Sequence, residues 1–206
     1  ATAIGVRDFL IAFNVNLNTT NKKIASDIAL DIREQGRAKR DSDNKILRDS
    51  KGAIIKIPGT LKNVKAVGWY IDEYKQAQVS MNLINYKKTS MHEAFDEVVR
   101  QASKRGLRVT GSEIVGLLPK EAILDSGKYF LKKQNSSIGI PDKDIMLSAI
   151  QSLGLNDLSV FDSKKSIIEE ALNINEKTFK DLSINEFVDE VSRKTPTPGG
   201  GSVSAL

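Results

Sequence analysis

Phe9-Leu10-Ile11-Ala12-Phe13-Asn14-Val15-Asn16-Leu17 alternates strictly: Phe9, Ile11, Phe13, Val15 and Leu17 fall on one side, Ala12, Asn14 and Asn16 on the other. Successive side chains of an extended chain point to opposite faces, so a period of two predicts a strand with one face buried. Asn18 to Asn21 is a polar turn with capping residues. Ile24, Ile28 and Ile32, with Ala25 and Ala29 beside them, then recur at helical spacing, and Gly36 ends that helix. The period of two returns at Ala77 to Leu83, where Ala77, Val79, Met81 and Leu83 oppose Gln78, Ser80 and Asn82.

Around these anchors the other elements fall into order. Val64 to Ile71 predicts a strand, Asp72 to Lys75 a hairpin-like break, and Leu107 to Leu117 a fourth strand. Ser90 and Glu93 form a capping box ahead of the stripe Met91, Phe95, Val98, Val99 and Ala102, and Gly106 stops this helix. The resulting β-α-β-β-α-β order predicts an α+β fold of the ferredoxin-like, split β-α-β kind. Arg37 to Asn63 is crowded with charge, holds Pro58-Gly59, and reads as a surface insertion with a short strand at Ala53 to Ile57. Pro119 opens a helical extension with further helices at Asp142 to Leu153 and Ser163 to Leu172. Ser183 to Arg193, with Ser183 and Glu186 as a second capping box, precedes a break at Thr195 to Ser202. The expected divisions are 1–118, 119–176 and 177–206. No internal repeat stands out.

The chain has 206 residues, 28% charged and 40% hydrophobic, which permits a packed core and argues against wholesale disorder. Cysteine is absent, which rules out a disulfide framework, a thiolate metal site and a cysteine nucleophile, and fits a reducing compartment such as the cytoplasm. The single histidine, His92, leaves no room for a histidine-only metal cluster, so no metal is expected. No apolar run approaches the ~20 residues of a membrane-spanning helix. The net charge of +5 suits an anionic small molecule as well as nucleic acid. Both ends look cut: Ala1 begins the chain without methionine, and Ser204-Ala205-Leu206 reads as a helix continuing further.

In this topology the first and third strands are central neighbours. Their apolar sides lie beneath the helices, leaving Asn14, Asn16, Gln78, Ser80 and Asn82 on the other face. Unpartnered buried amides cost ~1–3 kcal/mol each, so this face meets either water or something polar that answers it. RNA-recognition modules share the topology but stack bases on aromatic residues of the open face; Phe9 and Phe13 point to the core by parity, so nucleic acid is not expected. His92 reads as a surface histidine near a helix start. Glu113 falls by alternation on the face of Val109 and Val115, unless a bulge at Gly111 turns it to the rim. Gly199-Gly200-Gly201-Ser202 could offer backbone N–H groups to an anion at a helix start, but a flexible linker is the default reading of so short a run.

Arg7 to Leu17, Ile32-Arg33-Glu34-Gln35-Gly36-Arg37, Val67-Gly68-Trp69-Tyr70, Ala77-Gln78-Val79-Ser80-Met81-Asn82-Leu83 and Gly111-Ser112-Glu113-Ile114-Val115-Gly116-Leu117 together resemble the glutamate formimidoyltransferase family, in the family's order. The resemblance runs from Ala1 to about Leu172, with Arg37 to Asn63 as a departure. Phe187 to Val191 and Thr195 to Val203 resemble the start of a cyclodeaminase domain, which follows the transferase in bifunctional members.

The resemblance implies transfer of a formimidoyl group from N-formimidoyl-L-glutamate to N5 of tetrahydrofolate in histidine breakdown, with tetrahydrofolate as co-substrate. It implies an active site between two similar α/β subdomains, of which this chain matches the second. The first, bearing the family's catalytic histidine, does not match any part of this chain, and His92 does not fill that role, so no catalytic residue is assigned here. The resemblance further implies a homo-oligomer. Asn14, Asn16, Gln78, Ser80 and Asn82 would then form the polar floor, with Ser112 at its edge, and Arg7 and Arg33 would be candidates for the carboxylates, since guanidinium groups bind them in pairs. The alternative is a non-catalytic ferredoxin-like binding or interaction module.

Overall fold

The structure, a computed structural model, describes residues 2, 5–172 and 183–192. Two compact units divide the chain, residues 1–171 and 172–206. In the first, β1 (Ile11–Leu17), β4 (Val64–Ile71), β5 (Gln76–Leu83) and β6 (Val109–Val115) form one sheet in the order β4-β5-β1-β6, antiparallel throughout. With α1 (Lys22–Ile32) and α2 (Met91–Ser103), the sequence of elements is β-α-β-β-α-β. The fold is α+β, and the first and third of these four strands are central neighbours, as the alternation requires.

One sheet face and the two helices hold the core. Ile11, Phe13, Val15 and Leu17 meet Ala77, Val79, Met81 and Leu83 there, beneath Ala25, Ile28 and Ile32 of α1 and Met91, Phe95 and Val98 of α2. The Asn21 side chain accepts from the N–H groups of Lys23 and Ile24, which starts α1; Ser90 and Glu93 form the expected capping box of α2. Gly68 lets α1 approach β4: a Cβ there would stand 2.0 Å from the Ser26 nitrogen.

Several expectations are corrected. β1 begins at Ile11, and Phe9 is 59% exposed instead of buried, because no partner strand extends that far. His92 is half-buried, stacked on Tyr129 of α3 (Lys120–Lys133) at 4.3 Å, with its ring nitrogens 3.0 Å from Ser90 Oγ and 3.4 Å from Ser126 Oγ. Burial lowers its pKa, against the opposing pull of Glu93, Asp125 and Asp96. Pro119 takes the cap position of α3, one residue before the helix. The helix expected at 163–172 is broken at Ile167 into α5 (Ser163–Ser166) and α6 (Ile168–Ala171). There the chain pairs with Leu118, whose N–H donates to the Ser166 oxygen and whose oxygen accepts from the Ile168 N–H.

Residues 33–56 hold a repeat of eight that the sequence reading missed. Gly36, Asn44 and Gly52 all have positive φ, and each N–H closes a turn onto the carbonyl three residues back. Lys39, Leu47 and Ile55, also eight apart, close a ring of backbone hydrogen bonds: Lys39 donates to Ile55, Ile55 to Leu47 and Leu47 to Lys39. The regular strands here are only β2 (Arg37–Ala38) and β3 (Lys56–Ile57), shorter than the strand expected at Ala53 to Ile57. Residues 37–63 carry eight basic and three acidic side chains, so the chain's whole excess of +5 resides there.

In the second unit, α7 (Ile184–Ser192) starts with the expected capping box: the Ser183 N–H donates to Glu186 Oε2 and the Glu186 N–H to Ser183 Oγ. The break at Thr195 to Ser202 and the triglycine lie outside the described residues. Among the described residues, no helix is long and apolar enough to cross a membrane.

Candidate functional site

The register of the four strands arranges the face opposite the helices in three rows. Row one is Trp69, Gln78, Asn16 and Gly111; row two is Val67, Ser80, Asn14 and Glu113; row three is Lys65, Asn82, Ala12 and Val115. Neighbours along a row stand ~5 Å apart and rows ~7 Å apart. Asn14, Asn16, Gln78, Ser80 and Asn82 therefore share one face, as the alternation predicts.

Row one is closed by the chain itself. Gln78 is fully buried and donates through Nε2 to Asn16 Oδ1 at 2.6 Å and to Glu113 Oε2 at 3.1 Å; its oxygen accepts from Trp69 Nε1 at 2.9 Å. Asn16, also fully buried, donates to Asp157 Oδ2 at 3.1 Å, which accepts from Thr110 Oγ1 as well. Both protons and the oxygen of Gln78 are thus engaged, so the expectation that Gln78 and Asn16 are available to a ligand is corrected.

Rows two and three are open. Asn14 is 4% exposed, yet its amide makes no hydrogen bond among the described residues, and neither do the Ser80 and Asn82 side chains. Lys65, Val67, Ser80 and Asn82 line a shallow recess of about 140 Å³ here. Glu113 stands beside Asn14 with one carboxylate oxygen tied to Gln78.

Ser112 is not part of this floor. Thr110 is an extra residue in β6, since Asn16 pairs with Gly111 but Leu17 with Val109. This bulge puts Glu113 on the polar face, opposite Asn14, and turns Ser112 to the core side, opposite Val15. Ser112 is fully buried there, its Oγ donating to the Leu153 carbonyl at 2.6 Å at the end of α4 (Asp142–Leu153). The segment after α4 wraps the outer edge of β6, where the Ser112 N–H donates to the Gly154 oxygen, and then delivers Asp157 to row one.

Arg33 lies at the row-three end of the sheet, in a cleft of about 530 Å³ that Lys65, Val64 and Ala66 also line. Its Nε donates to the Gly36 carbonyl at 3.0 Å, which leaves the terminal nitrogens for other partners. Arg7 is exposed, in a separate shallow recess just before β1. The sequence reading missed Asp157, Lys65 and Trp69, and left Glu113 open between the buried face and a rim position reached by a bulge; the bulge is present and puts it on the polar face. The parity of β4 was available to place Lys65 and Trp69 on the open face; Glu113 needed the bulge and Asp157 the docking of the extension. Among the described residues, no group of three or more acidic or histidine side chains is placed to hold a metal ion.

Chemically, the arrangement offers unengaged amides and a hydroxyl in the middle, one half-free carboxylate, and cations at one end. Such a surface fits a ligand with carboxylates and several hydrogen-bonding groups.

Residues 12–173 match the formiminotransferase domain family, and residues 183–206 match formiminotransferase-cyclodeaminase. The chain is 44% identical over 209 residues to formimidoyltransferase-cyclodeaminase of Dictyostelium discoideum, covering all of this chain and 36% of that protein. It is 40% identical over 207 residues to the protein of that name from Mus musculus, again over all of this chain and 35% of the relative. Against glutamate formimidoyltransferase of Thermoplasma acidophilum it is 38% identical over 132 residues, covering 64% of this chain and 36% of that protein. The chain thus spans about a third of the length of these relatives, and on the match over residues 12–173 it belongs to the formiminotransferase domain family.

Proposed function

We propose that this chain is part of an enzyme that transfers the formimidoyl group from N-formimidoyl-L-glutamate to N5 of tetrahydrofolate, joined to a formimidoyltetrahydrofolate cyclodeaminase. The relatives' names and the family match support the reaction class. The structural observation that carries the local role is the unbonded, nearly buried amide of Asn14 between Ser80 and Glu113. The amide keeps access to the surface, so its donors and acceptor are open to a polar substrate laid on rows two and three, which would replace the water there.

In the reaction, N5 forms a bond to the formimidoyl carbon and gives up its proton. The bond from that carbon to the glutamate nitrogen breaks, and the departing amine takes up a proton. As the bond to N5 forms, the C=N electron pair moves onto the imino nitrogen, and the charge developing on the nitrogens around the carbon is stabilised by fixed dipoles, which Asn14, Ser80 and Asn82 supply. The proton-transfer group comes from a preceding α/β subdomain facing the floor, and the cleft is complete only with it. On this reading residues 1–118 form the second transferase subdomain, 119–176 its helical extension, and 177–206 the beginning of the cyclodeaminase part. The enzyme works in the cytoplasm as a homo-oligomer, without a metal.

The test is steady-state kinetics of the full-length enzyme. Asn14→Ala and Asn82→Ala lower kcat/KM by tenfold or more while the melting temperature stays within a few degrees of wild type. Unchanged kcat and KM for both substrates in both variants would refute the polar-floor assignment. The 206-residue chain alone transfers no formimidoyl group, and detectable transfer by it would overturn the need for a second subdomain.

A further inference from the structure

We propose that Glu113 is the specificity residue for the group transferred: its carboxylate pairs with the positively charged formimidoyl end of the donor and fixes which way the donor lies. The inference rests on the formimidoyl-transfer reading and deepens it, with a residue that the amides and hydroxyls of the polar floor do not include.

Glu113 is the one acidic side chain in the three rows. It is half-buried and pairs across the sheet with Asn14, whose Cβ stands ~5 Å away in such a pair. Oε2 accepts from Gln78 Nε2 at 3.1 Å, and that is its one hydrogen bond among the described residues. The bond orients the carboxylate without neutralising it, because an amide carries no charge. No basic side chain among the described residues forms an ion pair with it. The only cation of the three rows, Lys65, stands at the opposite edge, three strands and one row away, ~16 Å between Cα atoms. A second group beside the carboxylate is also unanswered: the Asn14 amide is 4% exposed and makes no hydrogen bond among the described residues. An uncompensated carboxylate and an unbonded amide, side by side on a half-buried face, call for a partner that is both cationic and rich in N–H donors.

The formimidoyl group of the donor is an amidine, a strong base that is a planar cation at neutral pH. A carboxylate receives the N–H groups of such a cation as it receives those of a guanidinium. The open oxygen of Glu113 takes one N–H, and Asn14 Oδ1 takes a second. The rest of the donor carries two carboxylates, which Glu113 repels, so one orientation is favoured: the cation over row two, the carboxylates away from β6. The charge also suits the transfer. The imino nitrogen that receives the C=N electron pair already holds its extra proton, so it becomes a neutral amine nitrogen in the intermediate. The proton that leaves N5 matches the one the departing glutamate nitrogen takes up, and when the C=N bond re-forms the cation re-forms with it, on the folate. Glu113 thus pairs with the same group before and after it changes carriers. Tetrahydrofolate has no such cation, and a formyl group has a neutral oxygen in its place, so the carboxylate separates the donor from both.

The experiment uses the full-length enzyme and two donor analogues, N-carbamimidoyl-L-glutamate, whose guanidinium keeps the charge, and N-formyl-L-glutamate, which lacks it. Calorimetry without tetrahydrofolate gives a Kd for each, independent of turnover. Wild type binds the cationic analogue about tenfold more tightly than the neutral one, as expected for one charge-assisted pair on a half-buried face. Glu113→Gln, which can still accept from Gln78 and removes only the charge, loses that preference: the Kd of the cationic analogue and the KM of N-formimidoyl-L-glutamate rise about tenfold, while the Kd of N-formyl-L-glutamate and the KM of tetrahydrofolate stay where they were. Glu113→Asp, shorter but charged, keeps part of the preference. Equal affinity of wild type for the two analogues, or a preference unchanged in Glu113→Gln, overturns the assignment. A loss in Glu113→Gln that is equal for both analogues overturns it too, as the mark of a residue that only holds Gln78. A wild-type enzyme that prefers the cation but transfers nothing to tetrahydrofolate would refute the transferase reading and leave the pairing standing.

Discussion

Replacing Gln78 with leucine tests whether row one is held by hydrogen bonds or only by packing. Leucine fits the fully buried position but removes two donated bonds and one accepted bond. Trp69 Nε1 and Glu113 Oε2 belong to residues that water reaches, so their loss is largely offset by rehydration. Asn16 Oδ1 has no such recourse, because Asn16 is fully buried and Gln78 is its partner. Stranding it costs ~1–3 kcal/mol, and with a fraction of a bond lost on each side the total is about 2–3 kcal/mol. For a protein of this size 1 kcal/mol moves the melting temperature ~2–4 °C, which gives a fall of roughly 4–12 °C. Urea and thermal unfolding measure it, with Asn82→Ala as the control: Asn82 is exposed and unbonded, and its loss changes stability by no more than ~0.5 kcal/mol. The Asn16→Ala, Gln78→Leu double-mutant cycle should return a coupling of ~1 kcal/mol or more. A Gln78→Leu protein as stable as Asn82→Ala would show that the network contributes nothing.

Ser112→Ala removes a buried hydroxyl bonded to Leu153 and should cost ~1–2 kcal/mol in urea unfolding while leaving both KM values unchanged; a KM effect would return Ser112 to the floor. Gly111→Ala places a methyl 2.6 Å from the Gly154 oxygen and 2.3 Å from Asp157 Cβ, so the extension must shift; a loss of at least ~2 kcal/mol and faster amide exchange at Ser112 are expected, and a neutral result would mean the edge contact is loose. His92 favours its neutral form when folded, whereas the unfolded chain takes up a proton near pH 6.5. Its contribution is therefore complete above that pH and declines as the pH falls below it. Urea midpoints between pH 5 and 8 should show this step in wild type and lose it in His92→Gln; identical profiles would refute it.

What was legible in the sequence is whatever depends on period and capping alone. The alternation in β1 and β5 gave the buried face, the central pairing and the position of the amides, because parity in a strand is a local property. Asn21, Ser90 and Ser183 mark helix starts for the same reason: a cap is satisfied within three residues. The side of β6 was not legible, since a single extra residue at Thr110 inverts every side chain after it. Gly111 raised a bulge as one of two readings of Glu113, but the local sequence could not choose between them; the contact that requires glycine at 111 lies more than forty residues away, where Gly154 and Asp157 approach closely. The eightfold turns of 33–56 escaped because they repeat a backbone conformation, and Gly36, Asn44 and Gly52 are not one residue type.

That inversion decides what the polar face is. With regular alternation through β6, the side chain beside Asn14 would be Ser112, a neutral hydroxyl; with the bulge it is Glu113, and the floor gains a carboxylate between its amides and the closed row. The segment packed against Gly111 at the bulge also carries Asp157 to Asn16, which orients Asn16, then Gln78, then the indole of Trp69. The extension is thus coupled to the far edge of the sheet through four side chains in one row, three hydrogen bonds long. Loosening it at Gly111 or Asp157 should be felt at Glu113, which Gln78 also holds, and as a change in the mobility of Trp69 on β4.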